Sequence, residues 1–596
     1  MTVKKPLFLI LIVLSMSSSF GFSIIDTKNN PYNINSTSLN ISDTIDSVDY
    51  LIITTENFKP YLEPLAKWKT QKGLVAKIAL IENIRQQYTG RNRAEKIKNC
   101  IIDYNNNYNT QWILLAGDVD HVPSRDVLAL DGFSLDGNTV SCDSYYTDLN
   151  NNWDLNNDGN WGASGDELDF EPEVYVGRLP ADNEVQMQQL VHRILAYEKR
   201  PTIGPWMSHA LFAGAILQFD QDWNNDSFLD YGECDGNRVN NFIKTLLPDN
   251  WTSTFLAQTK GVKGTSYYND SCLNYNTLKN YIDEGCSIGT IFAHGSPTGM
   301  AIDKWLVDYD GDFLFDYIDC SFEGGTPVDV MQRDILFDMS YMDFEPEDNK
   351  TGIFYFGSCS TGTFDHPTEC LAQKFLRKAA IGVIAASQVA WGEDQWYERN
   401  HGGWFIEGLG FRFYEQLFLY NQPGKALALA KADYVSDRIN SSEPKEYPEW
   451  GNKTLKQYNL LGDPEVPIWL SIPKQLNISI NQPPNDDENL LTLLVTAEGA
   501  PVQNAIITYT KENNLFWKGI TNENGTIDIP LSKAELNGKI LTVSKIGYLP
   551  YQESIPQIAS ESIPGYDVVI TFTILLSLIF IYISSDNRKR LNKKRV

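Results

Sequence analysis

The chain has 596 residues, a formal net charge of −27 and only eight cysteines. This acidic excess argues against nucleic acid as a partner, because a surface that binds phosphates needs clustered basic residues. So few cysteines exclude a disulfide scaffold, and a hydrophobic core must therefore hold the fold. The cysteines lack CxxC spacing and the six histidines are scattered, so we expect neither a zinc site nor an organic cofactor.

The amino-terminal residues resemble a targeting segment rather than part of a fold. Lys4 and Lys5 precede a short apolar run and then small residues, the pattern of a secretory signal peptide, which we place at 1–22. An N-terminal membrane anchor is the alternative. Residues 23–47 are rich in Asn, Ser, Thr and Asp without periodicity, and we expect a flexible leader there.

From Val48 onward, apolar runs typical of strands alternate with helical patterns. The predicted strands lie at 50–55, 74–79, 112–116, 174–180, 210–214, 287–296, 352–359 and 380–387, with helices at 58–73, after 180, at 405–420 and at 425–435. Such alternation favours a parallel sheet with right-handed crossovers. Because about 420 residues is long for one domain, we predict an α/β subdomain at 48–200 and a second at 201–472.

Two of these strands end in reactive side chains. Ile288–Ala293 is followed by His294, and Ile353–Phe356 leads through Gly-Ser to Cys359. Parallel strands bring their carboxyl ends to one crevice, and a thiol needs a nearby base to become a nucleophile. We therefore predict a cysteine-hydrolase pair, with small residues leaving backbone N–H groups to bind an oxyanion. The alternative is a buried structural cysteine and a hydrogen-bonded structural histidine.

Three acidic loops carry oxygen ligands at the spacing of calcium-binding loops. The predicted ligands are Asp222, Asn224, Asp226, Phe228, Asp230 and Glu233 in the first loop, Asp308, Asp310, Asp312, Leu314, Asp316 and Asp319 in the second, and Asp154, Asn156, Asp158 and Asn160 in a partial third. No helix-loop-helix pattern surrounds them, so we expect isolated structural calcium sites. The alternative is that Asp/Asn-rich turns simply occur in an acidic extracellular protein.

The carboxyl-terminal part changes character after Ile472. Short strands separated by turn residues predict a small β-sandwich at 473–555, and the run from Gly499 to Ala505 resembles carboxypeptidase regulatory-like or immunoglobulin-like modules. After a linker at 556–565, an apolar run at 566–584 precedes the basic tail at 585–596. This pattern predicts a transmembrane helix with a cytoplasmic tail and an extracellular ectodomain. Asn-X-Ser/Thr sequons, for example at Asn35 and Asn250, predict that the ectodomain is glycosylated. A core helix is the alternative.

Several sequence blocks together resemble a known enzyme family. His294-Gly-Ser and Gly-Ser-Cys359 resemble the blocks of caspase-like cysteine peptidases, and the segments 114–120, 174–179 and 458–464 narrow the resemblance to the gingipain-like peptidases of family C25 over about 48–470. The resemblance implies a caspase-like three-layer α/β/α sandwich preceded by a smaller α/β subdomain. It also implies peptide-bond cleavage through a thioester, with Cys359 as nucleophile, His294 as general acid/base, and the N–H groups of Gly295 and Cys359 as oxyanion donors.

The chain departs from the family pattern at two acidic positions. The family places an acid behind the catalytic histidine in a segment matching 213–218, which contains none here. The pair acts as a dyad, or the nearest acid, Asp220, orients His294. The acid that grips a basic P1 side chain in gingipains best matches Asp235, and Trp391 and Trp396 are candidates for the walls of that pocket.

The combined prediction is a membrane-anchored, calcium-stabilised cysteine endopeptidase that faces outward and acts on proteins or peptides. One alternative is a catalytically inactive homologue that serves as a calcium-binding surface or adhesion protein. Another is a transpeptidase, because one thioester can be consumed by water or by an amine.

Overall fold

A computed structural model describes most of the chain between residues 47 and 555. The described residues are 47–129, 139–166, 168–222, 229, 232–309, 311–316, 329–346, 350–392, 405–440, 448–481 and 491–555. The predicted signal peptide, leader, linker, membrane segment and tail lie outside these ranges. Within them, no helix is both long enough and apolar enough to cross a bilayer.

An 11-stranded, mostly parallel sheet forms the centre of the molecule. Its strands are β1 (Tyr50–Thr54), β2 (Ala76–Leu80), β3 (Trp112–Ala116), β4 (Tyr175–Leu179), β5 (His209–Gly214), β6 (Thr252–Ala257), β7 (Ser271–Cys272), β8 (Ile288–Phe292), β9 (Gly352–Gly357), β10 (Ala380–Ala386) and β11 (Tyr458–Gly462). They lie side by side in the order β7-β6-β5-β8-β9-β10-β11-β4-β3-β1-β2. The alternation of strands and helices in the sequence therefore correctly indicated a large parallel sheet.

Helices connect these strands. They are α1 (Lys59–Gln71), α2 (Ile81–Gln87), α3 (Arg93–Tyr108), α4 (Glu184–Lys199), α5 (Gly236–Lys244), α6 (Tyr275–Glu284), α7 (Leu371–Lys378), α8 (Phe405–Tyr420), α9 (Pro423–Asn440), α10 (Pro448–Gln457) and the short α11 (Lys533–Leu536). Single 3-10 turns occur at Asp143–Tyr146, Ser164–Asp166, Pro205–Ser208 and Met339–Tyr341.

Helices cover both faces of the sheet, as aromatic contacts along β9 show. Phe354 and Phe356 both pack edge-on against Phe375 of α7, with ring centroids 5.0 and 5.1 Å away. Tyr355, which alternates to the opposite face, stacks on Phe413 of α8. Helices α1, α4 and α7 pack together in one layer, and α8 packs with α5, α9 and α10 in the other. The sheet is therefore the middle of an α/β/α arrangement.

Strand β11 joins the two parts that the sequence predicted as separate subdomains. It runs antiparallel to β10 on one side and pairs with β4 on the other, where Leu461 lies opposite Arg178. A side chain at Gly177 of β4 would collide with the carbonyl oxygen of Gly462, so the two chains approach very closely. A single cluster of buried apolar residues spans both parts. One sheet and one core thus cross the predicted boundary at residue 200.

A buried ionic network holds β11 against α1. Asp463, which follows β11, accepts a hydrogen bond from the Tyr50 hydroxyl at 2.8 Å and pairs with Lys69 Nζ at 2.6 Å. Lys69 also contacts Glu198 at 2.9 Å and Glu465 at 2.7 Å. Burial disfavours the charged form of Glu198, but Lys69 and Lys72 outweigh it and lower the pKa of Glu198 to about 2. The Gly-Asp-Pro block is therefore an anchor of the core rather than part of the chemistry.

The C-terminal β module (residues 474–555) consists of two four-stranded sheets with a separate core. One sheet contains Asn477–Asn481, Leu491–Ala497, Ala500–Pro501 and Thr526–Ile529, and the other contains Ile506–Lys511, Asn514–Ile520, Ile540–Ser544 and Tyr551–Ser554. Short strands at Lys474–Gln475 and Tyr548–Leu549 pair beside them.

This module docks on the carboxyl end of α1. Lys518 Nζ donates to the Gly73 carbonyl at 2.7 Å, and Ser544 Oγ donates to the Lys72 carbonyl at 2.9 Å. The Thr508 hydroxyl donates to the carbonyl of Gln71. These bonds satisfy the carbonyl of Gln71, which the end of a helix leaves without an intrahelical partner, and the carbonyls of the two residues that follow α1.

An antiparallel hairpin follows β8. Its strands, Gly299–Val307 and Val330–Asp338, pair with each other, and the short strand His294–Gly295 pairs with the first of them. Smaller two-stranded pairs join Arg125–Leu128 to Thr139–Cys142, Ile216–Gln218 to Cys234–Asp235, and Gln221–Asp222 to Phe315–Asp316. The hairpin lies beside His294, because the short strand His294–Gly295 pairs with its first strand.

Candidate active site

His294 and Cys359 lie at equivalent positions on neighbouring strands. Strands β8 and β9 pair in parallel, with Phe292 opposite Gly357, so each reactive residue comes two positions after the same register point. Gly295 packs directly on the turn that carries the cysteine, since a side chain there would collide with the carbonyl oxygen of Cys359. The structure therefore brings the predicted pair to one edge of the sheet. The oxyanion role of the Gly295 and Cys359 N–H groups stays a prediction.

A strained turn presents the thiol of Cys359. The next residue, Ser360, has φ +50°, a left-handed conformation that non-glycine residues rarely adopt. The Ser360 N–H donates to the Gln388 carbonyl at 2.9 Å, which fixes the turn. The Cys359 Sγ donates to the carbonyl oxygen of Ala390 at 3.1 Å. The thiol is thus held at the rim of the sheet by the segment that follows β10.

Burial distinguishes Cys359 from all of the other described thiols except Cys272. All seven cysteines of the described residues are thiols rather than disulfides. Cys234, Cys286 and Cys370 are buried, and burial raises the pKa of each thiol above its ordinary value. Cys359 is only half-buried. A buried thiol with a raised pKa is a poor source of thiolate, so these three are structural residues.

The acid beside His294 is Asp303, on the first strand of the hairpin. Asp303 Oδ2 lies 3.3 Å from His294 Nε2, and only 6% of Asp303 is exposed. Arg333, directly opposite Asp303 in the hairpin register, binds the same carboxylate in a two-pronged contact. Its Nε and Nη2 donate to Oδ1 and Oδ2 at 2.7 and 2.6 Å. This contact fixes the carboxylate that faces the imidazole.

These neighbours act on the imidazole in opposite directions. Burial is the largest influence and lowers the pKa of His294 below its ordinary value; the Asp303 carboxylate opposes that shift, and the Arg333 guanidinium adds to it. The net lowering favours the neutral imidazole near pH 7, which is the form that can accept a proton from a thiol. The arrangement suits a general base.

The assignment of Asp220 as the residue that orients His294 needs correction. Asp220 accepts from Lys263 Nζ at 2.5 Å and from the Glu233 backbone N–H at 2.8 Å, whereas Asp303 contacts the imidazole. The family pattern places this acid before His294 in the sequence, whereas Asp303 comes nine residues after it, on the strand that pairs with His294. A single acid within the apolar run Gly299-Met-Ala-Ile-Asp303 was the available signal.

The predicted pocket residues lie in different environments. Asp235 is 2% exposed and caps α5 by accepting from the Asn237 N–H at 2.8 Å and from the Thr265 hydroxyl at 2.5 Å. Burial raises the pKa of Asp235 to about 6. This carboxyl is therefore a helix cap, not an open contact for a substrate cation. Trp391 follows Ala390 and is 37% exposed, so it adjoins the thiol; Trp396 lies outside the described residues.

The calcium loops are described only in part. Asn224, Asp226, Phe228, Asp230, Asp310 and Asp319 fall outside the described residues. Glu233, the last predicted ligand of the first loop, contacts Lys263 at 2.9 Å. In the second loop, Asp308 accepts from the Gly311 N–H and Asp312 from the Leu314 N–H, each at 2.8 Å. Within the described ranges, no group of three or more His, Cys, Asp or Glu residues is arranged to hold a metal.

The third loop does not fit a metal. Asp154, its first predicted ligand, is fully buried and accepts from Arg91 Nη1 at 2.6 Å. Asn156 and Asp158 hydrogen-bond to each other at 2.9 Å, and Asn160 donates its backbone N–H to Asp158. A guanidinium thus already pairs with the carboxylate that the spacing assigned to a cation.

Comparison with known proteins decides the family. A model of peptidase family C25 matches residues 43–469. The chain belongs to peptidase family C25. Among curated relatives, Lys-gingipain W83 of Porphyromonas gingivalis is 21% identical over 529 residues, covering 85% of this chain and 25% of the relative. Gingipain R2 of the same species is 19% identical over 511 residues, covering 84% and 55%. This C25 chain therefore spans about a quarter to a half of those relatives.

Solved structures agree on the fold of this C25 chain. The crystal structure of the Arg-specific cysteine proteinase gingipain R (RGPB) superposes with a TM-score of 0.58 at 14% identity, covering 86% of this chain and 98% of that one. A complex of the pro- and mature domains of RgpB from Porphyromonas gingivalis gives the same TM-score and covers 86% and 100%. The gingipain-like fold expected from the sequence blocks is thereby confirmed.

Proposed function

We propose that this C25 chain is a cysteine endopeptidase that uses Cys359 as nucleophile and His294 as general acid/base. The observation that carries the proposal is the placement of both side chains two residues beyond one register point of β8 and β9, with a buried carboxylate behind the imidazole. Membership of the family supports cysteine peptidase chemistry, and the retention of both reactive residues opposes the inactive alternative.

The geometry suggests how the proton moves. His294 Nε2 faces Asp303, which leaves Nδ1 to accept the proton of the Cys359 thiol. The thiolate attacks the substrate carbonyl and forms the C–S bond, and the imidazolium then gives its proton to the departing amine. Water hydrolyses the thioester with the neutral imidazole as base. The N–H groups of Gly295 and Cys359 are the proposed donors to the oxyanion.

The experiment is labelling of the purified protein with an electrophilic peptide probe. Wild type and Cys272→Ala, which removes another half-buried thiol, are expected to label, and Cys359→Ala is expected not to. Replacement of His294 by Ala should slow labelling by about 10²-fold or more, because it removes the base. Labelling that persists in Cys359→Ala would disprove the nucleophile, and an unlabelled wild type would support the inactive homologue. Adding an amine during peptide turnover separates hydrolysis from transpeptidation by the product formed.

We also propose that the protein is held at the cell surface by the apolar segment 566–584, with the catalytic part outside. The signal-like amino terminus and the basic tail support this topology. Protease treatment of intact cells should remove the catalytic part and leave the tail protected; a protected catalytic part would contradict the topology.

For the first two acidic loops, the ligand spacing supports structural calcium. A chelator should lower the melting temperature of the purified protein, and added Ca²⁺ should restore it. An unchanged melting temperature would contradict the proposal that calcium stabilises the fold.

A further inference from the structure

We propose that Arg333 recognises a carboxylate of the substrate next to the scissile bond, supplied by an acidic side chain or by the substrate's own carboxyl terminus. This inference rests on the proposed peptidase function and adds a substrate class to it. It assigns Arg333 a binding role in addition to its contact with Asp303.

Arg333 is close to the reacting groups and open to solvent. It binds the carboxylate of Asp303, whose Oδ2 lies 3.3 Å from His294 Nε2. Only the Asp303 side chain therefore links the guanidinium to the imidazole. The Arg333 side chain is nevertheless 60% exposed. Asp303 uses the Nε and Nη2 donors, which are two of the five N–H donors of a guanidinium. The outward edge is therefore available to an incoming anion.

The contact with Asp303 also prepares Arg333 for binding. A long arginine side chain normally loses considerable rotamer entropy when it binds a ligand. Here two hydrogen bonds at 2.6 and 2.7 Å already hold the guanidinium in one orientation. A substrate carboxylate would therefore meet a preorganised partner, and a planar guanidinium is well matched to a carboxylate.

The acids that would instead attract a basic substrate already have partners. Asp235 is buried as a helix cap and bonded to Thr265. Asp220 and Glu233 both pair with Lys263, at 2.5 and 2.9 Å. Arg333 also has a partner, Asp303, but its side chain stays 60% exposed and it contacts the carboxylate that faces His294. Its exposed edge therefore offers a cation to an anionic substrate group, although the whole chain is acidic.

The test compares peptides that differ only by a carboxylate. In one series of peptides, each of the two residues that flank the scissile bond is made Glu or Gln in turn. A separate pair of peptides has either a free or an amidated carboxyl terminus. For the wild type, we expect kcat/KM to favour the carboxylate by about tenfold or more at one position or at the free terminus, as a charge-assisted pair would give. The position that responds distinguishes an acidic side chain from the terminus.

Variants of Arg333 test whether this residue causes the preference for Glu over Gln. Arg333→Gln should bring the Glu/Gln ratio close to one, and Arg333→Lys should retain part of it. Because the two peptides share one enzyme, any loss of catalytic power through Asp303 cancels in the ratio. Lys304→Gln is the matched control, since it removes a positive charge from the adjacent position, where Lys304 pairs with Asp334; it should keep the wild-type ratio.

Two results would overturn the inference. They are a ratio near one at every position while peptides are cleaved, and an unchanged ratio in Arg333→Gln. In each case the peptidase function stands, because cleavage is observed. If no peptide is cleaved by any variant, the proposed function fails and this inference fails with it.

Discussion

The carboxylate of Asp303 contacts both the imidazole of His294 and the guanidinium of Arg333, so the charge of each of these neighbours affects the pKa of His294. Removing the Arg333 charge leaves Asp303 unopposed, whereas neutralising Asp303 leaves His294 next to a cation. At the residue scale, Cys359 and His294 were predictable because each follows an apolar run that ends in small residues. Asp303 and Arg333 were not, because they meet only when the hairpin strands pair at that register.

The pH dependence of kcat/KM should move in opposite directions in two variants. The His294 pKa is lowered in the folded protein, so the acidic limb of the wild type should lie below the ordinary histidine value of about 6.5. Arg333→Gln removes a cation and should raise that limb; Asp303→Asn removes an anion and should lower it further. Shifts in the same direction would show that these two groups do not act on the imidazole as described.

The same pKa shift affects stability. The unfolded chain binds the His294 proton at a higher pH than the folded chain does. The free energy of unfolding therefore decreases as the pH falls through the pKa that His294 has in the unfolded chain. The decrease is complete below the pKa that His294 has in the folded chain.

At the scale of elements, β8 and β9 were recognisable from their uninterrupted apolar sequences, which is typical of strands buried on both faces. The hairpin was not predicted, because Asp303 and Lys304 interrupt the apolar pattern of its first strand. The role of β11 was also missed. Its sequence marks a closing segment, but only the sheet shows that it lies between β10 and β4 and that Asp463 behind it pairs with Lys69.

Lys69→Met should therefore be strongly destabilising. It leaves the buried carboxylates of Glu198, Asp463 and Glu465 with less compensation, and breaking a buried ion pair by removing one partner costs about 3–5 kcal/mol. Urea unfolding measures the change. Lys67→Met, on the more exposed side of the same helix, is the control and should stay close to the wild type. Equal stability of the two variants would show that the network contributes little to the core.

At the scale of the whole molecule, the α/β part and the C-terminal β module have separate hydrophobic cores. The module docks on α1, which follows β1, and four strands lie between β1 and β9 in the sheet. At the usual strand spacing this places β1 roughly 24 Å from β9. The change in strand pattern after Ile472 predicted a boundary there. It did not indicate docking, which depends on side chains from distant strands meeting the end of α1.

Gly73→Ala tests this docking. Gly73 has φ +104°, and an added methyl group would lie 2.7 Å from Ile506 of the module. The variant should lose stability for two reasons. The backbone conformation is strained for alanine, and overpacking against Ile506 should cost about 1–3 kcal/mol more. Gly547→Ala, at φ +83° with no described atom within 4 Å of the added methyl group, carries the strain alone. Peptide turnover per folded molecule should be unchanged in both; a selective loss of turnover in Gly73→Ala would couple the module to the active site.

The most direct test of the account is peptide hydrolysis by Asp303→Asn and Asp220→Asn measured side by side. Asp303 contacts His294, whereas Asp220 contacts Lys263. Asp303→Asn should therefore lose about 10²-fold or more in kcat, because it loses the carboxylate that orients the base and stabilises its protonated form. Asp220→Asn should keep kcat near the wild-type value. A large loss in Asp220→Asn with normal activity in Asp303→Asn would contradict the proposed active site.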